Sequence, residues 1–392
     1  MARSSIGVAV IGAGMAGRAH AAGYRAATTV YEAGLPEVRL VAIADINADF
    51  AAETARRFGY SRAESDWQAI AKAGDIDVVS VVVANPLHRE IVEGLLAGGK
   101  HVLCEKPMAP SIEDGEAMVA AANASPLQTG IGFTFRRSPA IAAIRELVEQ
   151  GSIGRPVHFN GHYWCDYGCD PDAPMSWRYK GGPGSGALSD IGSHLVDAAE
   201  FLCGPMRSIR GAVLATTVTE RALPLGAAVG HAGAALSDVR EPVENEDLVT
   251  FTATFASGAT GTLSASRVAY GLPNSLGFEL FTESGAATFD LARAGEFGVV
   301  DGGPPAVTQG YRQVLAGPAH PYLAGGLAMD FPGVNYGQND LFTFQARAFL
   351  EQVAGLDRLP RTPSFDDGLR NLRLLAAIVK SATSGGAEVV VS

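Results

Sequence analysis

The fold of this chain is decided near its start, by the stretch Ile6-Gly7-Val8-Ala9-Val10-Ile11-Gly12-Ala13-Gly14-Met15-Ala16-Gly17. The apolar run predicts a buried strand, and the G-x-G-x-x-G pattern leads into an alanine-rich segment that predicts a helix. In this context Gly12 permits a tight turn, Gly14 lets a pyrophosphate approach the backbone, and Gly17 lets helix and strand pack closely. The sequence therefore predicts a dinucleotide site at the helix N-terminus, with a ligand-free glycine turn as the alternative.

The first 130 residues alternate short apolar runs with alanine-rich segments, a pattern typical of parallel strands joined by crossover helices. Four strands are predicted, over residues 6–11, 40–44, 78–83 and 101–104. Four helices are predicted as well, over residues 17–27, 48–58, 91–97 and 112–122, the last of them capped by Ser111. We therefore expect an α/β fold in which residues 1–130 form a Rossmann domain that binds a dinucleotide.

Beyond residue 130 the pattern changes. Residues 247–255 place apolar side chains on one face and threonines on the other, which predicts a half-buried strand. Further strands are predicted at 260–267, 279–282 and 287–291, and helices at 342–353 and 367–382. We expect residues 131–392 to form an α+β domain with an antiparallel sheet. Its terminal helices are candidates to pack back on the first domain, and the segments 223–241 and 299–339 are predicted as long loops.

Composition excludes several classes of protein. At 392 residues the chain exceeds the usual size of one hydrophobic core, so two domains are expected. A net charge of −11 lacks the basic footprint that a nucleic-acid backbone or an anionic membrane demands. The sequence shows no secretory signal and no apolar run near the roughly 18 residues of a membrane helix, and its four cysteines are too sparse for a disulfide scaffold. We expect a cytoplasmic protein with a small-molecule partner, no nucleic acid and no membrane.

The end of the second predicted strand indicates which cofactor is bound. Asp45 can accept hydrogen bonds from the adenosine ribose hydroxyls, and its carboxylate repels a 2′-phosphate. The following Ile46-Asn47 offers no arginine to bind that phosphate. NAD is therefore favoured over NADP. Asp45 could instead be a helix N-cap, and the two roles can coexist.

Three further motifs follow in order: Asn85-Pro86-Leu87-His88, Glu105-Lys106-Pro107 and Gly186-Ala187-Leu188-Ser189-Asp190-Ile191-Gly192-Ser193-His194. With them, the chain resembles the Gfo/Idh/MocA oxidoreductase family over nearly its whole length. Two stretches look most like the levoglucosan and related sugar dehydrogenases of that family, namely Trp177-Arg178 and Gly317-Pro318-Ala319-His320-Pro321-Tyr322. The resemblance implies a Rossmann domain followed, over residues 131–392, by an α+β domain for substrate binding and oligomerisation. This domain would be built on a large, mainly antiparallel open sheet that supports a homodimer or homotetramer.

The resemblance also implies the residues of the site. It places Glu105 and Lys106 near the nicotinamide, suggests a cis peptide before Pro107, and matches Arg136 to the family's R-x-x-P segment, although Thr134 replaces an asparagine there. The residues predicted to bind the cofactor are Gly12, Gly14, Met15, Ala16, Gly17, Asp45, Ala84, Asn85, Pro86, His88, Glu105, Lys106 and Arg178. The residues predicted to bind the substrate are Lys106, Arg136, Tyr163, Trp177, Asp190 and His194.

The predicted catalytic residues are Lys106, Asp190 and His194. Oxidising a secondary alcohol needs a base for the hydroxyl proton while the hydride moves to the nicotinamide. An imidazole titrates near ~6.5, which makes His194 the first candidate. Lys106 can stabilise the alkoxide or, if desolvated, exchange the proton itself, and the sequence does not separate these roles. Asp190, His194 and Asp197 are spaced i, i+4 and i+7, so a helix beginning near Asp190 would stack them on one side.

Two other clusters have competing interpretations. A metal site is suggested by His162, Cys165, Asp166, Cys169 and Asp170. Structural zinc needs two paired spacings, and because the second pair is missing we expect no metal. A sugar pocket or ordinary core packing could account for the aromatic residues Tyr163, Trp164, Tyr167 and Trp177.

These observations favour an NAD-dependent oxidoreductase that transfers a hydride between nicotinamide and a secondary alcohol of a pyranose sugar, anhydrosugar or cyclic polyol. An NADP-dependent keto-sugar reductase would differ mainly at Asp45. A non-catalytic NAD-binding regulator would lack Lys106 or His194, and neither is missing.

Overall fold

The computed structural model describes residues 5–29, 34–226, 235–303, 308–324, 329, 331, 333–356 and 358–391. The chain divides into two compact units, Met1–Pro139 with Gly317–Leu372, and Ala140–Ala316 with Arg373–Ser392. The strands are β1 (Ser5–Ile11), β2 (Glu37–Ala44), β3 (Arg62–Glu64), β4 (Val78–Val81), β5 (His101–Cys104), β6 (Thr129–Ile131), β7 (Pro156–Trp164), β8 (Met206–Ala215), β9 (Glu220–Pro224), β10 (Leu236–Pro242), β11 (Leu248–Phe255), β12 (Thr260–Ser266), β13 (Ser275–Thr282), β14 (Gly285–Asp290), β15 (Glu296–Asp301), β16 (Arg312–Leu315) and β17 (Val389–Val390). The α-helices are α1 (Met15–Ala27), α2 (Ala48–Phe58), α3 (Trp67–Lys72), α4 (His88–Ala97), α5 (Ile112–Asn123), α6 (Pro139–Glu149), α7 (Ser193–Cys203), α8 (Gln338–Ala354) and α9 (Phe365–Thr383).

The first unit contains a parallel sheet of six strands in the order β3-β2-β1-β4-β5-β6. The chain winds out in both directions from β1, as in a Rossmann fold. The predicted fold class, strands and helices of this region are confirmed, although α4 begins at His88 and not at residue 91. β3, α3 and β6 were not predicted, because each is short and, unlike the equally short β4 and β5, lacks a continuous apolar run.

Both faces of this sheet are buried, which explains the continuous apolar runs of its strands. Val8 and Val10 of β1 lie in a cluster with residues of α1, α2 and α8. Ala9 and Ile11 lie in a second cluster, with residues of α4, α5 and the first part of α9. Successive residues of a strand point to opposite faces, so β1 contributes to both clusters.

The N-caps of two helices can be compared with the residues predicted for them. Asn47 Oδ1 accepts a hydrogen bond from Phe50 N at 3.2 Å and is the N-cap of α2. The alternative interpretation of Asp45 as that N-cap is therefore wrong. Ser111 Oγ accepts a hydrogen bond from Asp114 N at 3.0 Å, which confirms the predicted cap of α5.

The second unit contains a nine-stranded sheet in the order β16-β15-β14-β13-β7-β12-β11-β8-β17. Among the described strands of this nine-stranded sheet, only β7 and β12 pair in parallel, so the predicted mainly antiparallel sheet is confirmed. Burial alternates along β11, where Phe251 and Ala253 are buried while Thr250 and Thr252 are exposed. One face of the sheet is therefore covered and the other is open.

The two segments predicted as long loops contain strands. β9 and β10 form a small sheet of their own, and β15 and β16 extend the nine-stranded sheet. β9 ends at Pro224 and β15 contains Gly298, and both residue types argue against a strand when only the sequence is read. Residues 227–234, 304–307, 325–328, 330 and 332 of these segments lie outside the described residues. In the described part of the chain, no helix combines the length and apolar character needed to cross a membrane.

Candidate active site

The cofactor edge of the first unit is formed by the carboxyl ends of β1, β2, β4 and β5. β1 leads into Gly12, β2 into Asp45, β4 into a 3-10 turn at Asn85–Leu87, and β5 into Glu105. Because these strands are parallel, their carboxyl ends lie on one edge of the sheet. The order of strands reverses between β1 and β4, and sheets of this kind bind ligands in the crevice at such a point.

The glycine turn has the backbone that its sequence predicts. Gly12 has a φ of 105°, a left-handed value that favours glycine. A Cβ on Gly12 would overlap the carbonyl oxygen of Val82, and a Cβ on Gly17 would overlap that of Gly12. Around Gly14, by contrast, no atom lies within 4 Å of the place a Cβ would take. The turn is therefore closed toward the sheet and open at Gly14.

The helix that follows presents an uncapped N-terminus. Gly14 is the N-cap of α1, no side chain caps the helix, and the first turn contains no acidic residue. The first N–H groups of a helix have no partner within it, and they carry the positive end of the helix dipole. Met15 is exposed and Ala16 is half-buried beside them. This end of α1 suits the pyrophosphate of a dinucleotide.

Asp45 joins the end of β2 to the glycine turn. Its Oδ2 accepts a hydrogen bond from Ala13 N at 2.7 Å, and its Oδ1 accepts one from Asn47 N at 2.8 Å. A carboxylate can accept about four hydrogen bonds, so two ribose hydroxyls can be added to this pair. The side chain supports the turn in addition to the cofactor contact predicted for it.

His88 connects the loops that follow β4 and β5. Its Nδ1 lies 3.1 Å from Met108 O, and its Nε2 lies 3.0 Å from Val83 O. Burial lowers the pKa of His88, so the neutral ring donates to one of these two carbonyls at a time. The buried His88 therefore contributes to the cofactor edge by positioning these loops, whereas Ala84 and Pro86 are exposed at the edge and Asn85 is half-buried.

Glu105 is anchored by a buried chain of polar groups that was not predicted. Its Oε1 lies 2.9 Å from His20 Nε2, His20 Nδ1 lies 3.1 Å from Ser80 Oγ, and Ser80 Oγ lies 2.9 Å from the Tyr24 hydroxyl. Burial raises the pKa of Glu105, but the hydrogen bond with His20 and the charge of Lys106 outweigh it, and the pKa lies below its ordinary value. Glu105 is therefore an anion held in place directly before Lys106.

Lys106 itself is half-buried, and the peptide bond between it and Pro107 is cis. Its backbone N donates to Glu105 Oε2 at 3.1 Å, which fixes the main chain at the lysine. Arg136 lies in the same unit, and its guanidinium donates to Asp367 Oδ1 at 3.3 Å. The cofactor edge thus presents an amine next to a buried carboxylate, while the predicted substrate contact of Arg136 stays a prediction.

In the second unit, Asp190 lies in a π-helical turn, Leu188–Gly192, that leads into α7. The prediction of a regular α-helix from Asp190 was therefore wrong in its first turn, because i→i+5 hydrogen bonds change the spacing of side chains there. Asp190 and His194 are half-buried, whereas Asp197 is buried. The catalytic residues predicted in this motif occupy its accessible part.

Two tyrosines contact these residues, and the four side chains Tyr163, Tyr167, Asp190 and His194 form what we name the Asp190 cluster. The ring centroids of Tyr163 and His194 are 6.3 Å apart. The Tyr167 hydroxyl donates to Asp190 Oδ2 at 2.6 Å, and the Tyr163 hydroxyl donates to Asn274 Oδ1 at 2.8 Å. The segment at the end of β7 therefore lies along the start of α7, with both predicted polar groups in contact with it.

Glu246 holds the loop that precedes Asp190. Its carboxylate accepts hydrogen bonds from the backbone N–H groups of Gly184, Gly186 and Leu188, at 2.7, 3.1 and 2.9 Å. Burial raises the pKa of Glu246, and the N–H groups of Leu188 and Gly184 oppose that shift. The entry to the π-helical turn is thus fixed by an acidic side chain roughly sixty residues further along the chain.

The other aromatic and cysteine residues take different positions. Trp164 stacks on His162 with ring centroids 5.2 Å apart, and its side chain lies on the opposite face of β7 from the buried Tyr163. Trp177 is 64% exposed, with the Arg178 guanidinium 4.5 Å from its ring centroid. Within the described residues, no group of three or more His, Cys, Asp or Glu side chains is arranged to hold a metal ion.

The structure thus brings the predicted residues together in two sets, one in each unit. The glycine turn, Asp45, Asn85, Glu105 and Lys106 share the cofactor edge, and Tyr163, Asp190 and His194 share the Asp190 cluster. The sequence did not predict the contacts of His20 and Glu246 with the site. His20 lies three positions after Gly17, and no sequence pattern around it indicates a functional role. Glu246 and Asp247 are adjacent acidic residues at the start of a strand, a pattern that indicates buried polar contacts.

Comparisons with known proteins match both parts of the chain to one family. Residues 6–133 match an oxidoreductase family with an NAD-binding Rossmann fold, and residues 141–288 match the GFO/IDH/MocA C-terminal domain. The levoglucosan dehydrogenase of Pseudarthrobacter phenanthrenivorans is 38% identical over 387 residues, which is 96% of each chain. A solved levoglucosan dehydrogenase in complex with NADH and L-sorbose is 34% identical, with a TM-score of 0.89 over 100% of both chains. Its complex with NADH and levoglucosan has a TM-score of 0.88 at the same identity over 99% of both chains.

Proposed function

The chain belongs to the Gfo/Idh/MocA oxidoreductase family, and from that premise we propose that it is an NAD-dependent dehydrogenase of a pyranose or anhydrosugar. We propose Lys106, Asp190 and His194 as its catalytic residues. The observation that carries the proposal is that the Asp190 cluster contains both an imidazole and a carboxylate. The Rossmann unit of the same chain places a lysine, Lys106, at the cofactor edge. The similar levoglucosan dehydrogenase, solved with NADH and levoglucosan, supports the choice of substrate class.

Each proposed residue has a role that its chemistry supports. When bound, NAD supplies a nicotinamide ring that accepts the hydride from the carbinol carbon. His194 or Lys106 takes the hydroxyl proton as the hydride departs. A protonated Lys106 stabilises the negative charge that develops on the alcohol oxygen, and Asp190 orients either that hydroxyl or the imidazole.

The residues of the first unit fit NAD. The uncapped start of α1 and the open space at Gly14 would hold the pyrophosphate. Asp45 would accept hydrogen bonds from the adenosine ribose and repel a 2′-phosphate, which argues against the alternative of an NADP-dependent reductase. The alternative of a non-catalytic regulator is disfavoured because all three proposed catalytic residues are present.

The test is to mix the purified protein with NAD and a panel of sugars, and to follow the absorbance of NADH. Levoglucosan, other anhydrosugars, free pyranoses and inositols make up the panel. We expect turnover with at least one pyranose or anhydrosugar, a higher kcat/KM with NAD than with NADP, and loss of turnover in Lys106→Ala. Absence of turnover on every member, or full activity of Lys106→Ala on a substrate found later, contradicts the proposal.

We also propose that residues 1–130 bind NAD and that residues 131–392 bind the substrate and form a cytoplasmic homodimer or homotetramer through the open face of the nine-stranded sheet. This face carries aromatic pairs, His158 with Phe281 and His162 with Trp164. The partly exposed Phe281 suits an interface better than a solvated surface. Light scattering should give two or four times the monomer mass, and Phe281→Glu should lower it. A monomer at micromolar concentration contradicts this part of the proposal.

A further inference from the structure

Tyr167 makes a short hydrogen bond to Asp190. Its hydroxyl donates to Asp190 Oδ2 at 2.6 Å, a length typical of an O–H group bound to an ionised carboxylate. Burial and the neighbouring Asp190 raise the pKa of Tyr167 well above its ordinary value. The phenol therefore stays protonated near neutral pH, and toward Asp190 it acts as a donor.

The backbone next to Tyr167 is rigidly supported. Gly168 N donates to Arg267 O at 2.7 Å, and Arg221 Nη2 donates to Gly168 O at 2.8 Å. Both arginines are fully buried, and Arg267 pairs with Asp247 at 2.9 Å. A Cβ on Gly168 would lie 2.8 Å from Arg267 O, so the chain packs closely here. The position of the tyrosine ring is therefore set by buried contacts outside the motif that contains Asp190.

We propose that Tyr167 is a positioning residue for the dehydrogenation, because it holds the Asp190 carboxylate ionised and in a fixed orientation. The inference rests on the proposed function, since Tyr167 acts through Asp190. A hydrogen bond donated to a carboxylate favours its ionised form. An ionised Asp190 can accept the substrate hydroxyl or stabilise a protonated His194, and a protonated or rotated Asp190 does neither.

The groups around Tyr167 and Asp190 limit what can change the pH dependence of kcat. Titratable or charged groups that act on Tyr167 or Asp190 include Tyr163, Cys165 and Arg267, and His194 is in ring contact with Tyr163. Burial raises the pKa of Tyr163, and an arginine keeps its charge, so neither group changes charge near neutral pH. A change in the acid limb of the rate profile is therefore not due to Tyr163 or Arg267, and a direct titration of the Asp190 carboxyl identifies the group.

The experiment compares the wild type with Tyr167→Phe, which removes only the hydroxyl. We expect kcat to fall about ten- to a hundredfold, as for loss of a hydrogen bond to a charged group, with a smaller change in KM. The acid limb of the kcat profile should move to higher pH by about one unit, a tenfold change in proton affinity. A merely structural role would lower the fraction of active protein and leave the limb in place.

Tyr270→Phe is the matched control. The Tyr270 hydroxyl donates to Cys169 O at 3.0 Å from an exposed ring, so its loss removes a tyrosine hydroxyl of the same unit without touching the Asp190 cluster. We expect this variant to keep the kcat and the pH profile of the wild type.

A second measurement does not depend on turnover. In protein with labelled aspartate carboxyl carbons, NMR titration follows the Asp190 signal, assigned by its loss in Asp190→Asn. In Tyr167→Phe this signal should titrate about one unit higher in pH. A wild-type titration and acid limb in Tyr167→Phe overturn the inference. If the wild type oxidises no sugar, the proposed function fails, and the carboxyl titration alone decides whether Tyr167 keeps Asp190 ionised.

Discussion

The cofactor edge and the Asp190 cluster are built in opposite ways from one chain. At the cofactor edge, backbone groups form the proposed anion site, and the residues that shape it follow directly after strand ends. In the Asp190 cluster, side chains are held by side chains and loops that are distant in sequence. Tyr167 lies 23 positions before Asp190, and Glu246 lies 58 positions after Leu188. The first region is thus encoded locally, whereas the second depends on the whole sheet being formed.

The difference explains how much of each region the sequence could predict. Gly12 and Gly17 indicate the turn because a Cβ at either position would overlap a backbone oxygen, and Gly14 completes the G-x-G-x-x-G pattern. The parallel order of the strands follows from their continuous apolar runs. Motifs also located Asp190 and His194. Nothing local could indicate that Tyr167 bonds Asp190 or that Glu246 caps the preceding loop, because those contacts arise from strand pairing across the second unit. The π-helical turn was not predicted either, because its start is fixed by Glu246, which is distant in the sequence.

The largest expected effect tests whether the two regions form one catalytic unit. Lys106→Ala and His194→Ala should each lower kcat about 10³-fold, because in the proposed mechanism each side chain moves a proton or stabilises charge in the transition state. The double variant should be about as active as the slower single variant, since groups that act as a unit are not additive. Steady-state kinetics of the four proteins gives the comparison.

Lys72→Ala is the control for this comparison, because it removes an exposed lysine of the same unit and should leave kcat unchanged. Effects of Lys106→Ala and His194→Ala that simply multiply in the double variant would show that the cofactor edge and the Asp190 cluster act independently.

The next prediction concerns the stability of the second unit, which contains the Asp190 cluster. Asp247 is buried, pairs with Arg267 and accepts hydrogen bonds from Thr217 N and Val218 N. Asp247→Asn should lower the free energy of unfolding by about 3 kcal/mol at pH 7, because it leaves Arg267 buried without its counter-charge. Urea unfolding followed by tryptophan fluorescence measures the loss.

The same carboxylate gives a pH dependence of known sign. Burial raises the pKa of Asp247, but the backbone N–H groups and Arg267 outweigh it, and the pKa lies below its ordinary value. A folded pKa below the unfolded one means that the stabilisation is complete above about pH 4 and is lost as the pH falls through the folded pKa. The difference between wild type and Asp247→Asn should therefore be constant from pH 7 to about pH 5 and shrink below pH 4. A difference that grows on acidification would assign the effect to another group.

A smaller effect separates the two functions of the glycine turn. A Cβ on Gly17 would overlap a backbone oxygen, so Gly17→Ala should destabilise the protein by about 1–3 kcal/mol. A Cβ on Gly14 meets no protein atom, so Gly14→Ala should unfold like the wild type and still bind NADH at least tenfold more weakly. Thermal unfolding and NADH fluorescence titration give the two readouts. Wild-type NADH affinity in Gly14→Ala would place the pyrophosphate elsewhere.

The smallest expected effect asks whether Asp45 serves the cofactor or only the turn. Asp45→Asn keeps an oxygen that can accept from Ala13 N but removes the charge that repels a 2′-phosphate. We expect the affinity for NADH to fall about tenfold, because a tenfold change corresponds to about 1.4 kcal/mol, the size of one hydrogen bond. We also expect the ratio of the NADH and NADPH affinities to move closer to one, because the repelling charge is gone. Asp77→Asn is the matched control, since Asp77 accepts from Gly7 N at 2.7 Å near the opposite end of β1. An unchanged ratio of the two affinities in Asp45→Asn would mean that this carboxylate supports the glycine turn alone, and that even at the cofactor edge specificity comes from residues the local motif does not contain.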